Sequence, residues 1–119
     1  MANDFKRICT PNISNRSNST IYAVPAGSSS SALESYVIGI TCANKTTSGV
    51  TVDIFIDNED GSNDVYIVKN ASIPAGASLE VMSGNKLVLM NDGTNADNLE
   101  ALASAGSAVD VTVSVLEDV

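Results

Sequence analysis

The sequence predicts an all-β domain, an antiparallel β-sandwich of jelly-roll or immunoglobulin-like type with seven to eight strands. Three observations predict it. Apolar residues come in short Val-, Ile- and Leu-rich runs that alternate with polar ones, the period of two expected of half-buried strands. Gly, Asn, Asp, Ser and Pro separate these runs every ~8–12 residues, the spacing of a sandwich or barrel. The length of 119 residues suits one core, and no change of composition divides the chain into two. A small closed barrel is the alternative architecture.

Residues 1–19 are rich in Asn and Ser and lack an apolar period, which predicts an extended N-terminal arm followed by a sandwich domain over residues 20–119. Ile21-Tyr22-Ala23-Val24 reads as the first strand. Val24-Pro25-Ala26-Gly27 ends it as a turn, with proline presetting φ at the second position and glycine suiting the fourth. Residues 28–31 are a serine loop. Over residues 36–42, strict alternation puts Tyr36, Ile38, Ile40 and Cys42 on one face and Val37, Gly39 and Thr41 on the other. Over residues 50–57 it turns Val50, Val52, Ile54 and Ile56 inward, with Phe55 left on an otherwise polar outer face.

An acidic loop follows, then a strand at Val65-Tyr66-Ile67-Val68-Lys69 and a second proline turn, Ile73-Pro74-Ala75-Gly76. That turn leads into Leu79-Glu80-Val81-Met82. Lys86-Leu87-Val88-Leu89-Met90 is apolar on both faces, the pattern of a strand covered on both sides. Residues 95–105 fit either a helical turn or an irregular strand, and antiparallel neighbours favour the strand. Residues 109–117 carry four valines on one face and Asp110, Thr112 and Ser114 on the other. They predict a long strand that closes the sheet, with Leu116 on the polar side.

The inventory of reactive groups argues against catalysis. The chain has no histidine, which removes the commonest general base and most transition-metal sites. It has neither a phosphate-binding glycine loop nor a dinucleotide fingerprint. Asp57, Glu59, Asp60 and Asp64 around Gly61 offer oxygens for calcium. Their spacing departs from the EF-hand, because placing Gly61 sixth puts Ile56 first, and such residues also make ordinary solvated turns. A sugar-binding sandwich is disfavoured by five aromatic residues and no Trp. No cofactor is expected. Cys9 and Cys42 match no metal or CxxC spacing. Residues 1–7 lack the apolar stretch of a secretory signal, which predicts a cytosolic setting with reduced thiols.

Charge adds a further constraint. The net charge is −8; Lys6, Arg7 and Arg16 against Asp4 give residues 1–19 a net +2 and leave −10 on the remainder. An acidic body repels phosphate backbones, so direct nucleic-acid binding is not expected, and no apolar run is long enough for a membrane helix. A net-basic arm suits docking on an acidic protein surface. Apolar residues on outer faces suit a subunit interface. Candidate interaction residues are therefore Phe5, Lys6, Arg7, Ile13 and Arg16 on the arm, with Phe55 and Leu116 on the body. A homo-oligomer is the expected state.

The succession Ile21-Tyr22-Ala23-Val24-Pro25-Ala26-Gly27, then Val65-Tyr66-Ile67-Val68-Lys69-Asn70-Ala71-Ser72-Ile73-Pro74-Ala75-Gly76-Ala77-Ser78-Leu79-Glu80-Val81, Lys86-Leu87-Val88-Leu89 and the closing residues 109–117, resembles small virion structural proteins of tailed bacteriophages, particularly those of marine and cyanobacterial hosts. The resemblance covers residues 20–117 as a folding pattern, and no functional residue transfers with it. It implies a non-enzymatic, β-rich subunit assembled in the host cytoplasm and carried in the virion, in contact with capsid or other virion proteins. A capsid decoration or cement role is the leading expectation, with a neck or tail adaptor or fibre-base role as the alternative.

Overall fold

The structure, a computed structural model, describes residues 3–26, 32–57, 64–82 and 87–118. Among them are nine strands: β1 (Asn3–Thr10), β2 (Ser19–Ala23), β3 (Leu33–Asn44), β4 (Val50–Asp57), β5 (Asp64–Ile73), β6 (Ser78–Glu80), β7 (Leu87–Asn91), β8 (Asn98–Ala103) and β9 (Val109–Asp118). One sheet runs β1-β9-β3, with β6 and β7 sharing the far edge of β3; the other runs β2-β8-β4-β5. All pairings are antiparallel.

The hydrogen-bonded pairs are nested: β1 with β9, β2 with β8, β3 with β6 and β7, and β4 with β5. A ribbon of nested antiparallel pairs, rolled so that alternate pairs lie in opposite sheets, is the jelly-roll topology. Of the two sandwich types expected, this is the one formed. Its core lies between the sheets: Val37, Ile40, Cys42, Val111, Val113 and Val115 on one side meet Ile21, Val52, Ile54, Leu99 and Ala101 on the other, all at 2% exposure or less.

Residues 95–105 do contain the expected strand, β8, and residues 109–117 the expected long strand, β9. Four other expectations are corrected. The segment 1–19 is not a detached arm, because residues 3–10 pair in continuous register with β9, and Ile13 is fully buried with its N–H donating to the Val109 carbonyl at 2.9 Å. The apolar period is missing there because β1 is an edge strand at the rim of the core, where Ile8 alone among its side chains is an apolar residue packed against the interior. Alternation in β3 breaks at a bulge between Val37 and Gly39. The extra residue, Ile38, is left exposed, so Val37 shares the inner face with Ile40 and Cys42 while Tyr36 faces out. In β7 only Leu89 is a fully buried apolar residue, since this strand sits at an edge with Val88 and Met90 about half exposed.

The second proline turn is shifted by one residue. The Ala77 N–H donates to the Pro74 carbonyl at 3.0 Å, and Gly76 occupies the third position at φ 69°, the left-handed region that glycine tolerates. Gly27 of the first turn and most of the acidic loop lie outside the described residues.

Candidate interaction surface

Residues directly opposite one another in an antiparallel pair point to the same face of the sheet. Phe5 lies opposite Leu116, Leu116 opposite Tyr36, and Tyr36 opposite Val88. These four therefore form one row across β1, β9, β3 and β7 on the outer face of the larger sheet. Phe5 is 73% exposed and Val88 50%, with Leu116 and Tyr36 half-buried between them. Ile38 at the bulge and Met90, two residues beyond Val88, widen the row at 41% and 47% exposure. Scattered apolar residues on a surface are ordinary, whereas a contiguous row is characteristic of docking surfaces.

The polar counterpart lies on the inner side of the same strands. Glu117 is 2% exposed, and its Oε2 accepts a hydrogen bond from the Tyr22 hydroxyl of the opposite sheet at 2.5 Å. The same hydroxyl lies 2.7 Å from Ser35 Oγ. Lys6 Nζ stands 3.0 Å from Glu117 Oε1, an ion pair whose geometry falls short of a directed hydrogen bond. Burial chiefly, and then the bond to Glu117, hold the Tyr22 phenol well above its ordinary ionisation range. The contact with Glu117 likewise raises Lys6. This cluster fastens β1, β9 and β3 to β2 across the core, and so positions the outer row.

The residues proposed from sequence separate accordingly. Phe5 and Leu116 stand in the exposed row. Arg7, opposite Ser114 on β9, is exposed beside it, and Arg16 is exposed in the turn before β2. Lys6 pairs with Glu117 while its side chain stays half exposed, and Ile13 is a core residue unavailable for docking. Phe55 does point away from the central core but is 3% exposed, because the Tyr66 ring lies over it with centroids 5.0 Å apart. Lys69 Nζ covers that ring in turn at 4.6 Å and pairs with Asp53 at 3.3 Å. Sequence reasoning missed Tyr36 and Ile38 as surface residues and read Val88 and Met90 as part of a strand covered on both faces. Their apolar character reads as core until strand pairing shows which face they occupy.

No group of three or more metal-ligating side chains occurs among the described residues. Of the loop positions considered for calcium, Asp57 and Asp64 are described, and Glu59, Asp60 and Gly61 lie outside the described residues. Cys9 is exposed on β1, and Cys42 is buried. No protein-family model and no curated protein sequence matches the chain. Among solved structures it is similar to a chain in the structure of infectious bursal disease virus Gx strain, with a TM-score of 0.43 and 11% identity, over 96% of this chain and 29% of that one. The chain thus spans less than a third of the length of that protein.

Proposed function

We propose that this protein is a non-enzymatic structural subunit of a phage particle, a decoration or cement protein that packs on neighbouring virion proteins through the outer face of its larger sheet. The observation that carries the reading is the contiguous row of exposed Phe5 and Val88 with half-buried Leu116 and Tyr36 between them, and exposed Ile38 and Met90 beside it, on the outer face of one sheet. Apolar residues aligned across four strands offer a flat, rigid surface, and desolvating it contributes roughly 25 cal/mol per Å² of apolar area. The resemblance of residues 20–117 to small virion proteins supports the setting. Jelly rolls serve in viral capsids and in lectins alike, so the fold supports the reading by analogy alone.

Fastening then depends on the sheet face and not on a free arm, because residues 3–10 and Ile13 belong to the folded sandwich. The test is co-sedimentation with particles that lack this chain. Ile38→Lys together with Val88→Lys places charge on two exposed positions and is expected to abolish co-sedimentation while leaving the melting temperature unchanged; full binding by that variant overturns the docking surface. Copy number per particle then separates roles: hundreds of copies accord with decoration, and about six or twelve with a neck or tail ring.

A further inference from the structure

We infer that β1 is a self-pairing edge, along which two copies of the chain join antiparallel about a two-fold axis at Phe5 and so continue the larger sheet from one copy into the other. Such pairing rests on the reading that the chain assembles through its outer surfaces, and its one partner is a second copy.

The first ground is the state of the edges. An unpaired edge strand is a template for another strand, and folded proteins usually blunt it by shortness, bulges, proline or charge. Here β6 has three residues and β7 five, β2 has five with a bulge, and the pairing of β5 is interrupted twice. β1 differs: it has no proline and an unbroken register with β9 over eight residues, of which 3–7 lie opposite one another about a centre at Phe5. Among the described residues no backbone group outside β9 bonds to it. An open groove of about 370 Å³, lined by Lys6, Ile8, Tyr22, Pro25 and Glu117 among others, separates it from β2.

The second ground is charge. A two-fold axis perpendicular to the sheet preserves which face each residue occupies, so opposed residues must point the same way and the axis must fall on a residue position. A centre at Asp4, Lys6 or Arg7 sets identical charges directly opposite, which is destabilising. A centre at Ile8 or Cys9 brings no opposite charges together, and it runs the paired strands into Pro11, which lacks an N–H. A centre at Phe5 sets Asp4 opposite Lys6 of the second copy, twice by symmetry, on the side of the sheet where Lys6 already meets Glu117. Lys6 thus guards the edge against other pairings and permits this one.

The third ground is Phe5 itself, the most exposed large apolar residue among those described. In this register it lies against Phe5 of the second copy, at a position where cross-strand aromatic pairs are favourable. The row from Val88 to Phe5 then continues into the second copy as one stripe of twice the length.

Sedimentation velocity of the full chain across a concentration series tests the pairing, and engineered cysteines test its register. Expected are a reversible dimer, a dissociation constant about tenfold larger for Asp4→Lys in a variant that still melts cooperatively, and an oxidative cross-link between copies carrying Cys9→Ser with Phe5→Cys. Cys9→Ser with Ile8→Cys, and the native Cys9, are expected to remain uncross-linked. A monomer at every concentration, a dimer indifferent to Asp4→Lys, or cross-linking at position 8 or 9 in preference to 5 overturns the self-pairing. If the chain is monomeric while Ile38→Lys with Val88→Lys still abolishes particle binding, self-pairing is wrong and the docking surface stands. If a β1 dimer forms and those lysines leave particle binding untouched, the docking surface is wrong and self-pairing stands.

Discussion

Cys42 and Tyr22 show how burial sets chemistry at single residues. Cys42 lies on the inner face of β3, and its thiol is pushed up to about 12, chiefly by desolvation and secondarily by the charge of Glu80. Cys9, on the same sheet, is exposed. Thiolate is the reactive form, so a thiol reagent at neutral pH is expected to modify Cys9 alone in the native protein and both cysteines in denaturant; mass spectrometry after brief labelling checks this. Tyr22 matters for a different reason. Tyr22→Phe keeps the packing but removes the hydroxyl shared by Glu117 and Ser35, leaving a buried carboxylate oxygen without its donor. A loss of ~1–3 kcal/mol is expected, read from denaturant unfolding.

Among the elements, the N-terminal segment departs furthest from its sequence pattern. β1 supplies a strand to β9, and Ile13 fills a fully buried site beyond it. Ile13→Ala is therefore expected to cost ~2–5 kcal/mol, as for other large-to-small core changes, where a residue on a detached arm would cost nothing measurable. Deleting residues 1–19 is expected to remove the folded domain's cooperative melt, since it strips one partner from β9 and opens the core at Ile13; a truncated chain that melts like the intact one contradicts this. The bulge in β3 shows the same dependence on pairing. One inserted residue changes the phase of alternation, so Ile38 comes to the surface while Val37 and Ile40 both face the core.

Over the whole molecule, the shifted ionisations act in one direction at high pH. Tyr22, Cys42, Lys6 and Lys69 all have folded values above their ordinary 10.0, 9.0, 10.5 and 10.5. The unfolded chain releases these protons first, so the stabilisation each brings is complete below its ordinary value and is lost as pH rises through the folded one. Unfolding midpoints in denaturant are accordingly expected to hold up to about pH 9 and to fall steadily above it. At the acid end, backbone N–H donors hold Asp92 and Asp110 below their ordinary range, with Lys45 assisting at Asp110. Their contribution is present above 3.8 and is lost as pH falls through the lower folded values.

The sequence by itself determined that the chain is all-β, where most strands lie and that layered sheets bury their alternating valines, because a period of two and turn chemistry are local properties of the chain. Only the tertiary structure decided that residues 3–10 are a strand, that Phe55 is covered, and that Tyr36, Ile38, Val88 and Met90 are outside. Exposure depends on which strand lies opposite and which face it presents. Phe5, Leu116, Tyr36 and Val88 are neighbours only because β1, β9, β3 and β7, distant along the chain, are laid side by side in register.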